Sequence, residues 1–288
     1  MTPRDTLLAL GVSVVWGLAF VLTRFVLETL SPALLMTLRF VIAALPVLIL
    51  PRPAMPFGAF MATAATLYLG QFMFQYGGIA LGVPPGLAAV LVQSQAFFTV
   101  LFALLLFGER PTRLQAGALA AAGIGLLCIA GTVGGEFGLG GFLVMMGAPV
   151  SFAAGNILLR RSGGTGDMLA LTSWMALVPP LPGLALALAT DGAGGVIGQL
   201  VATPASGWLA VLYLAILGNV FAYAVWGRLI ARYPAASITP FALLVPVVAA
   251  ASSAIVTGER FGPLRGTGMA LVFGALAVLL LRSGRARV

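Results

Sequence analysis

The 288-residue sequence contains no histidine, no lysine and one cysteine, Cys128. Imidazole bases, imidazole metal ligands, lysine Schiff bases and the lysine of a phosphate-binding loop are therefore excluded. A single thiol also excludes an internal disulfide, a cysteine-based metal cluster and a CxxC redox pair. We expect no metal site and no cofactor, and the usual residue sets for enzyme catalysis are missing.

Charged residues are also scarce, at 8% of the chain, whereas 61% of the residues are hydrophobic. A soluble domain of this size has about 25% charged residues, because they must cover its surface. The net charge of +8 comes entirely from arginines scattered between long apolar runs. That pattern is typical of topology signals in a membrane protein and not of a nucleic-acid interface.

Apolar runs of about 20 residues are long enough to cross a bilayer as helices. The sequence predicts an all-α integral membrane protein with ten such helices and short joints, so that residues 1–288 form a single membrane domain. The predicted spans are Thr6–Leu27, Ala33–Leu50, Phe57–Leu81, Pro85–Phe107, Leu114–Val133, Leu139–Leu159, Met168–Ala189, Trp208–Ile230, Ala235–Thr257 and Gly266–Leu281.

The distribution of arginines between loops predicts the orientation of these spans. With a cytoplasmic N-terminus, the outside loops carry only Arg260 and Arg265, and Arg24 and Arg39 lie within spans. The inside segments carry Arg4, Arg52, Arg110, Arg113, Arg160, Arg161, Arg228, Arg232, Arg282, Arg285 and Arg287. Because positive residues favour the cytoplasmic side, both termini are predicted there.

The two halves of the chain repeat a series of residues. Gly-Glu-Arg at 108–110 recurs at 258–260, and the same offset of 150 pairs Pro84 with Pro234 and Tyr76 with Trp226. We interpret residues 1–135 and 136–288 as two five-helix repeats. An odd number of spans inverts the second repeat, and inverted repeats with a central site are typical of secondary transporters that work by alternating access.

These motifs resemble a known family. Two sets of five spans, the segment WGLAFVLTR from Trp16 to Arg24, Arg39 in the second span, and Pro-led fourth and ninth spans that end in GER are similar to the EamA family of the drug/metabolite transporter superfamily. Within it the chain looks most like YddG-type exporters of aromatic and other amino acids. The resemblance implies a monomer-sized transporter of the bacterial inner membrane that exports small metabolites.

Polar groups inside spans are costly unless they face a partner or a cavity, so they are candidate substrate ligands. Amides and aromatic rings together can hydrogen-bond a zwitterion and pack on an apolar side chain. The alternative for each is helix packing and interhelical hydrogen bonding. The candidates are Trp16, Phe20, Gln71, Gln75, Gln93, Phe152, Asn156, Asn219 and Tyr223.

A second set has a predicted structural or gating role. Arg24 can pair with Glu28 four residues on, and Arg39 is interpreted as a structural lock, with substrate contact as its alternative. The Glu-Arg pairs lie at helix ends, and the prolines bend the ninth helix. This set comprises Arg24, Glu28, Arg39, Glu109, Arg110, Pro240, Pro246, Glu259 and Arg260.

All seven acidic residues lie near the ends of predicted spans. Proton-driven carriers commonly place a titratable group deep in the membrane, so we predict facilitated export. The expected partners are a small-molecule substrate, an amino acid or similar metabolite, and membrane lipid, without nucleic acid. The alternative is a multidrug or other metabolite exporter. A channel and a membrane enzyme agree less well with the sequence.

Overall fold

The computed structural model describes residues 1–108, 112–135, 137–162 and 167–283. Within these ranges all regular secondary structure is helical. Seven helices are long and apolar enough to cross a membrane, and Pro32–Leu48, Pro240–Val256 and Pro263–Val278 are shorter apolar helices. The predicted all-α membrane class is confirmed. Glu109 and Arg110, named above for a gating role, lie outside the described residues.

The helices of the N-terminal half are α1 (Pro3–Val26), α2 (Pro32–Ala43), α3 (Phe57–Ala64), α4 (Gln71–Ala80), α5 (Pro85–Gln93), α6 (Gln95–Phe107) and α7 (Arg113–Ala130). Those of the C-terminal half are α8 (Leu139–Arg161), α9 (Met168–Met175), α10 (Pro180–Ala202), α11 (Ala205–Leu212), α12 (Ala222–Arg232), α13 (Ala235–Ala242), α14 (Leu244–Val256) and α15 (Pro263–Ser283). A 3₁₀ turn, Leu45–Leu48, follows α2.

Two π-helical segments interrupt the long helices at corresponding places. Ala65–Gly70 joins α3 to α4, and Tyr213–Phe221 joins α11 to α12. A π-helical turn changes the hydrogen-bond register of a helix, and here the other half of the chain supplies additional donors to it. Ser151 Oγ donates to the carbonyl of Thr66 at 2.8 Å, and Trp16 Nε1 donates to the carbonyl of Gly218 at 2.9 Å.

Two further interruptions also correspond between the halves, at Ser94 between α5 and α6 and at Leu243 between α13 and α14. Proline explains the second, because Pro246 has no N–H to donate to the carbonyl of Ala242 four residues before it. Gln93 Nε2 donates to this carbonyl at 3.4 Å. The helix is thus interrupted at Leu243, and a side chain from α5 replaces the missing main-chain donor.

The segment predicted as Met168–Ala189 differs from its prediction. The helix stops at Met175, resumes at Pro180 and continues past Ala189 to Ala202, with a break at Gly192, where φ is +71°. The part beyond this break is anchored at Gln199, whose Nε2 donates to Asp191 at 2.9 Å and whose Oε1 accepts from Ser31 N at 2.7 Å. The bond from Ser31 is a long-range contact that the local sequence pattern does not contain, and it holds this helical segment against the start of α2 where the sequence predicts a loop.

Close contacts between small residues hold helices of the two halves together. A Cβ atom on Gly125 of α7 would lie 2.7 Å from the carbonyl oxygen of Gly268 in α15, and a Cβ on Gly268 would lie 2.7 Å from that of Gly125. On α7, Gly125 thus marks the close approach, whereas Gly117 has open space beside it. Elsewhere α1 packs against α12 and α14, and α4 packs against α8.

Candidate substrate-binding cavity

A cavity of about 450 Å³ lies between the two halves and is lined by helices from both. Its volume falls in the range of small-molecule sites. Eight of the nine candidate substrate ligands line it, namely Trp16, Phe20, Gln71, Gln75, Gln93, Phe152, Asn156 and Tyr223. The sequence-predicted set is thus brought together in one place, and its contact with substrate stays a prediction.

One wall of the cavity is aromatic. The Trp16 ring lies 5.5 Å from Tyr223 and 5.2 Å from Trp226, measured between ring centroids. The bond from Trp16 Nε1 to the carbonyl of Gly218 fixes the indole against the second π-helical segment. Because this donor is occupied, the Trp16 ring offers the cavity its apolar face.

The hydrogen-bonding groups of the amide side chains in the lining are only partly paired. Gln71 Nε2 donates to Gln75 Oε1 at 3.2 Å, while Gln71 Oε1 is buried without a hydrogen-bond partner. Asn156 Nδ2 is 3.5 Å from Thr99 Oγ1, and Gln93 Nε2 donates to the main chain of α13. The lining therefore combines fixed amides with an open acceptor.

Arg39 is buried at the edge of the cavity and joins three helices. Its guanidinium donates from Nη1 to Tyr76 Oη at 2.5 Å and from Nη2 to Asn219 Oδ1 at 3.1 Å. Its Cζ atom also lies 4.5 Å from the centre of the Phe72 ring. These contacts fit the predicted structural lock, since they tie α2 to α4 and to the second π-helical segment.

Asn219 is the candidate substrate ligand that does not line the cavity, and its Oδ1 accepts from Arg39 Nη2 at 3.1 Å. It lies four residues before Tyr223, the spacing at which two residues of a regular α-helix share a face. Asn219 belongs to the π-helical segment, whose wider turn changes the direction of side chains relative to those of α12. Its role is to hold Arg39.

Gln95 and Thr172 line the cavity, although the sequence analysis did not select them. On a continuous helix Gln93 and Gln95 point in widely different directions, because successive residues are 100° apart. The interruption at Ser94 lets both reach the cavity. A polar residue on each side of a helix interruption is the signal that could have identified Gln95.

Glu259 lies in a separate cluster at one end of the molecule. Its carboxylate accepts from the main-chain N–H groups of Gly86 at 2.9 Å and Leu87 at 3.2 Å and from the Ser253 hydroxyl. It also forms a buried ion pair with Arg265 at 3.6 Å. The positive end of the helix dipole at α5 favours a carboxylate here. The cluster fastens the α14–α15 connection to the start of α5.

Arg24 and Arg260 line a smaller cavity of about 350 Å³ beside this cluster. The predicted pair between Arg24 and Glu28 is wrong, because α1 ends at Val26 and Glu28 belongs to the following turn. In the described part of the chain no ion pair joins the two side chains. Arg24 lies instead near Glu259, Pro84 and Pro85.

The model of the EamA-like transporter family matches residues 5–131 and again residues 139–281. The chain belongs to this family. It is a membrane transporter and not an enzyme, as the sequence analysis predicted. The two matches cover nearly the whole chain and divide it within the connection between α7 and α8.

Two relatives of the chain carry names of bacterial transporters. A "Probable amino-acid metabolite efflux pump" of Salmonella typhimurium (strain LT2) is 35% identical over 96% of this chain and 95% of its own. The "Uncharacterized inner membrane transporter YedA" of Escherichia coli (strain K12) is 28% identical over 93% of this chain and 88% of its own. With its apolar helices, the chain is a multi-pass inner-membrane protein.

A crystal structure with 20% sequence identity superposes on the whole of both chains with a TM-score of 0.64. At this identity the likeness shows that the two chains share a fold and nothing about their ligands. The arrangement of helices around the cavity therefore occurs in an experimental structure of comparable length.

Proposed function

We propose that the protein exports amino acids from the cytoplasm by alternating access through the central cavity. The observation that carries the proposal is the cavity itself, which both family-matched halves line with aromatic and amide side chains. The name of the Salmonella relative, which refers to amino-acid metabolite efflux, agrees with this chemistry. Neutral amino acids with apolar side chains fit a site of this composition.

The architecture that we propose has ten membrane-crossing helices in two inverted repeats, residues 1–135 and 136–288, with both termini in the cytoplasm. Seven long helices and three shorter apolar ones supply the ten segments. The two family matches, the paired π-helical segments and the paired interruptions at Ser94 and Leu243 support the duplication. The arginine distribution supports the orientation.

Orientation is testable by cysteine labelling in a Cys128→Ser background. Arg52→Cys and Pro204→Cys both place a thiol at an exposed position in a connection between helices. In intact cells a membrane-impermeant maleimide should label Cys at position 204 but not at position 52, and both should react after permeabilisation. The opposite pattern would contradict cytoplasmic termini.

Transport is testable by counterflow in proteoliposomes loaded with unlabelled leucine. External tritiated leucine should accumulate transiently, which a channel does not produce, and protein-free liposomes provide the control. A panel of amino acids and cationic drugs then separates the amino-acid exporter from the multidrug alternative. Absence of counterflow with every amino acid would refute the proposed function.

The same vesicles test energy coupling. None of the described residues that line the cavity is acidic, so we propose facilitated export without a coupled proton. Net leucine flux should follow the leucine gradient at equal internal and external pH. Strict dependence of net flux on an imposed pH gradient would contradict facilitation while leaving export itself in place.

A further inference from the structure

Four buried polar atoms without hydrogen-bond partners belong to side chains that line the central cavity. They are Arg39 Nε, Tyr68 Oη, Gln71 Oε1 and Gln95 Oε1. Buried polar atoms in proteins are nearly always paired, so unpaired groups around one cavity indicate that a ligand completes them. Arg39, Tyr68 and Gln71 are each at least 95% buried.

Two of these groups are donors, and one of them carries a positive charge. The Arg39 guanidinium has five N–H groups, of which the described contacts use one for Tyr76 and one for Asn219. Both partners are neutral, as is the Phe72 ring on which the guanidinium stacks. The described lining of the cavity contains no carboxylate, and among the described residues no ion pair includes Arg39. A planar guanidinium in this state suits a carboxylate ligand.

Tyr68 places a hydroxyl in the same aromatic group. Its ring lies 5.3 Å from Phe40 and 6.2 Å from Phe72, the two rings that Arg39 contacts. The Tyr68 hydroxyl lies near Thr172 and near Asn219, the residue that accepts from Arg39 Nη2. The hydroxyl and the guanidinium therefore lie on one side of the cavity, where both can donate to a ligand carboxylate.

The other two groups are amide oxygens, which can only accept. An ammonium group carries three donors and needs such acceptors. Gln71 directly precedes Phe72 in α4, and Gln95 follows the interruption that turns α5 into α6. Hydrogen-bond acceptors therefore line the cavity on α4, which also carries the Phe72 ring under Arg39, and on α6.

We propose that Arg39 and Tyr68 bind the carboxylate of the substrate while Gln71 and Gln95 accept from its ammonium group, so that the cavity selects α-amino acid zwitterions. The inference rests on the proposed function and names the groups that give it specificity. The apolar side chain of the substrate then packs on the rings of Trp16, Phe20 and Phe152. Amines without a carboxylate are repelled by Arg39, and carboxylates without an ammonium leave the amide oxygens unpaired.

Competition on the wild-type protein tests the inference without any substitution. Unlabelled leucine, leucinamide and isocaproate are compared as inhibitors of tritiated-leucine counterflow. Leucinamide lacks the carboxylate and isocaproate lacks the ammonium group, while all three keep the same side chain. We expect each analogue to inhibit at least about tenfold more weakly than leucine, since each loses hydrogen bonds to buried charged or polar groups. Equal inhibition by leucinamide would overturn the inference and leave export of leucine standing.

Two variants then assign the ends of the substrate. Arg39→Gln should weaken inhibition by unlabelled leucine at least about tenfold. Leucine and leucinamide should then inhibit almost equally, because the group that distinguishes them is gone. Gln71→Leu should instead weaken inhibition by leucine and by leucinamide to a similar extent and leave inhibition by isocaproate unchanged. Arg52→Gln, which removes an exposed arginine that does not line the cavity, is the control for loss of charge.

If Arg39 has a structural role and does not bind substrate, the variants should behave differently. Arg39→Gln would then lower the melting temperature and the transport rate, while the ratio of leucine to leucinamide inhibition stayed at its wild-type value, and this outcome overturns the inference. If Arg39→Gln does not fold, Arg39→Lys and the wild-type competition decide between the same outcomes. A wild-type protein that transports no amino acid would refute the proposed function, and the inference with it.

Discussion

Glu259 approaches Gly86 so closely that only glycine fits there, since a Cβ atom on Gly86 would lie 2.8 Å from Glu259 Oε2. The two residues are 173 positions apart and belong to different halves of the chain. The contact therefore joins the halves at one end of the molecule through a main-chain hydrogen bond and a buried carboxylate. Separating α5 from α14 at this end requires that the carboxylate lose these partners.

Replacing Glu259 should destabilise the protein strongly. Glu259→Ala removes one partner of the buried Arg265 and the acceptor of two main-chain N–H groups, and breaking a buried ion pair costs about 3–5 kcal/mol. We expect a large fall in the melting temperature of the detergent-purified protein. Glu28→Ala removes an exposed acid and should leave that temperature nearly unchanged. Equal melting temperatures for the two variants would mean that the cluster does not hold the halves together.

Removing the indole N–H of Trp16 should lower the free energy of unfolding by about 1 kcal/mol or more. Trp16→Phe keeps an aromatic ring but loses the bond to the carbonyl of Gly218, which then has one donor fewer. Among the described residues Trp226 contacts the Trp16 ring without a hydrogen bond of its own, so Trp226→Phe is the matched control. Thermal unfolding of both variants measures the difference. A smaller loss for Trp16→Phe than for Trp226→Phe would contradict this assignment.

Restoring a donor at Pro246 should raise stability and slow transport. Pro246→Ala supplies a main-chain N–H to the carbonyl of Ala242, which now accepts from the side chain of Gln93, and favours a continuous helix through Leu243. We expect a higher melting temperature and a lower rate of leucine counterflow if the interruption has to bend during transport.

Pro149→Ala provides the comparison, because Pro149 lies inside α8, which continues without interruption. Its counterflow rate should stay close to that of the wild type. A Pro246→Ala protein with an unchanged rate would assign this proline a shaping role and not a gating role.

Adding a methyl group at Gly125 should separate α7 from α15. The new Cβ of Gly125→Ala would meet the carbonyl of Gly268 at 2.7 Å, and such overpacking costs about 1–3 kcal/mol. Gly117→Ala, on the same helix, meets no atom within 4 Å and should be neutral or slightly stabilising, because alanine favours helix over glycine. Thermal unfolding of the two variants distinguishes the effect of packing from that of helix propensity. Equal melting temperatures would contradict the close contact between α7 and α15.

Much of the architecture could be predicted from the sequence because the membrane class depends on composition and on the length of apolar runs. The lining of the cavity could be predicted for a similar reason, since polar side chains in apolar helices need a partner or a cavity. Gln71 and Gln75 were found by α-helical spacing, and that spacing holds in α4.

Predictions that assumed α-helical spacing failed where the helices are not regular. Asn219 lies in a π-helical segment, and Gln95 follows an interruption, so neither obeys the 100° rotation per residue that the sequence analysis assumed. Glu28 was paired with Arg24 by the same rule, although the helix ends between them. These irregularities depend on contacts from the other half, such as the bond from Trp16 to Gly218, which no local pattern contains.

The cluster around Glu259 includes a position at which the two halves differ in chemistry. Arg265 corresponds, at the offset of 150 that relates the halves, to Gln115. Gln115 carries no charge and is used to cap α7 together with Thr112. At matched positions, one half thus has a buried charge between helices and the other has a helix cap. Residues that correspond between the two family matches can therefore have different structural roles.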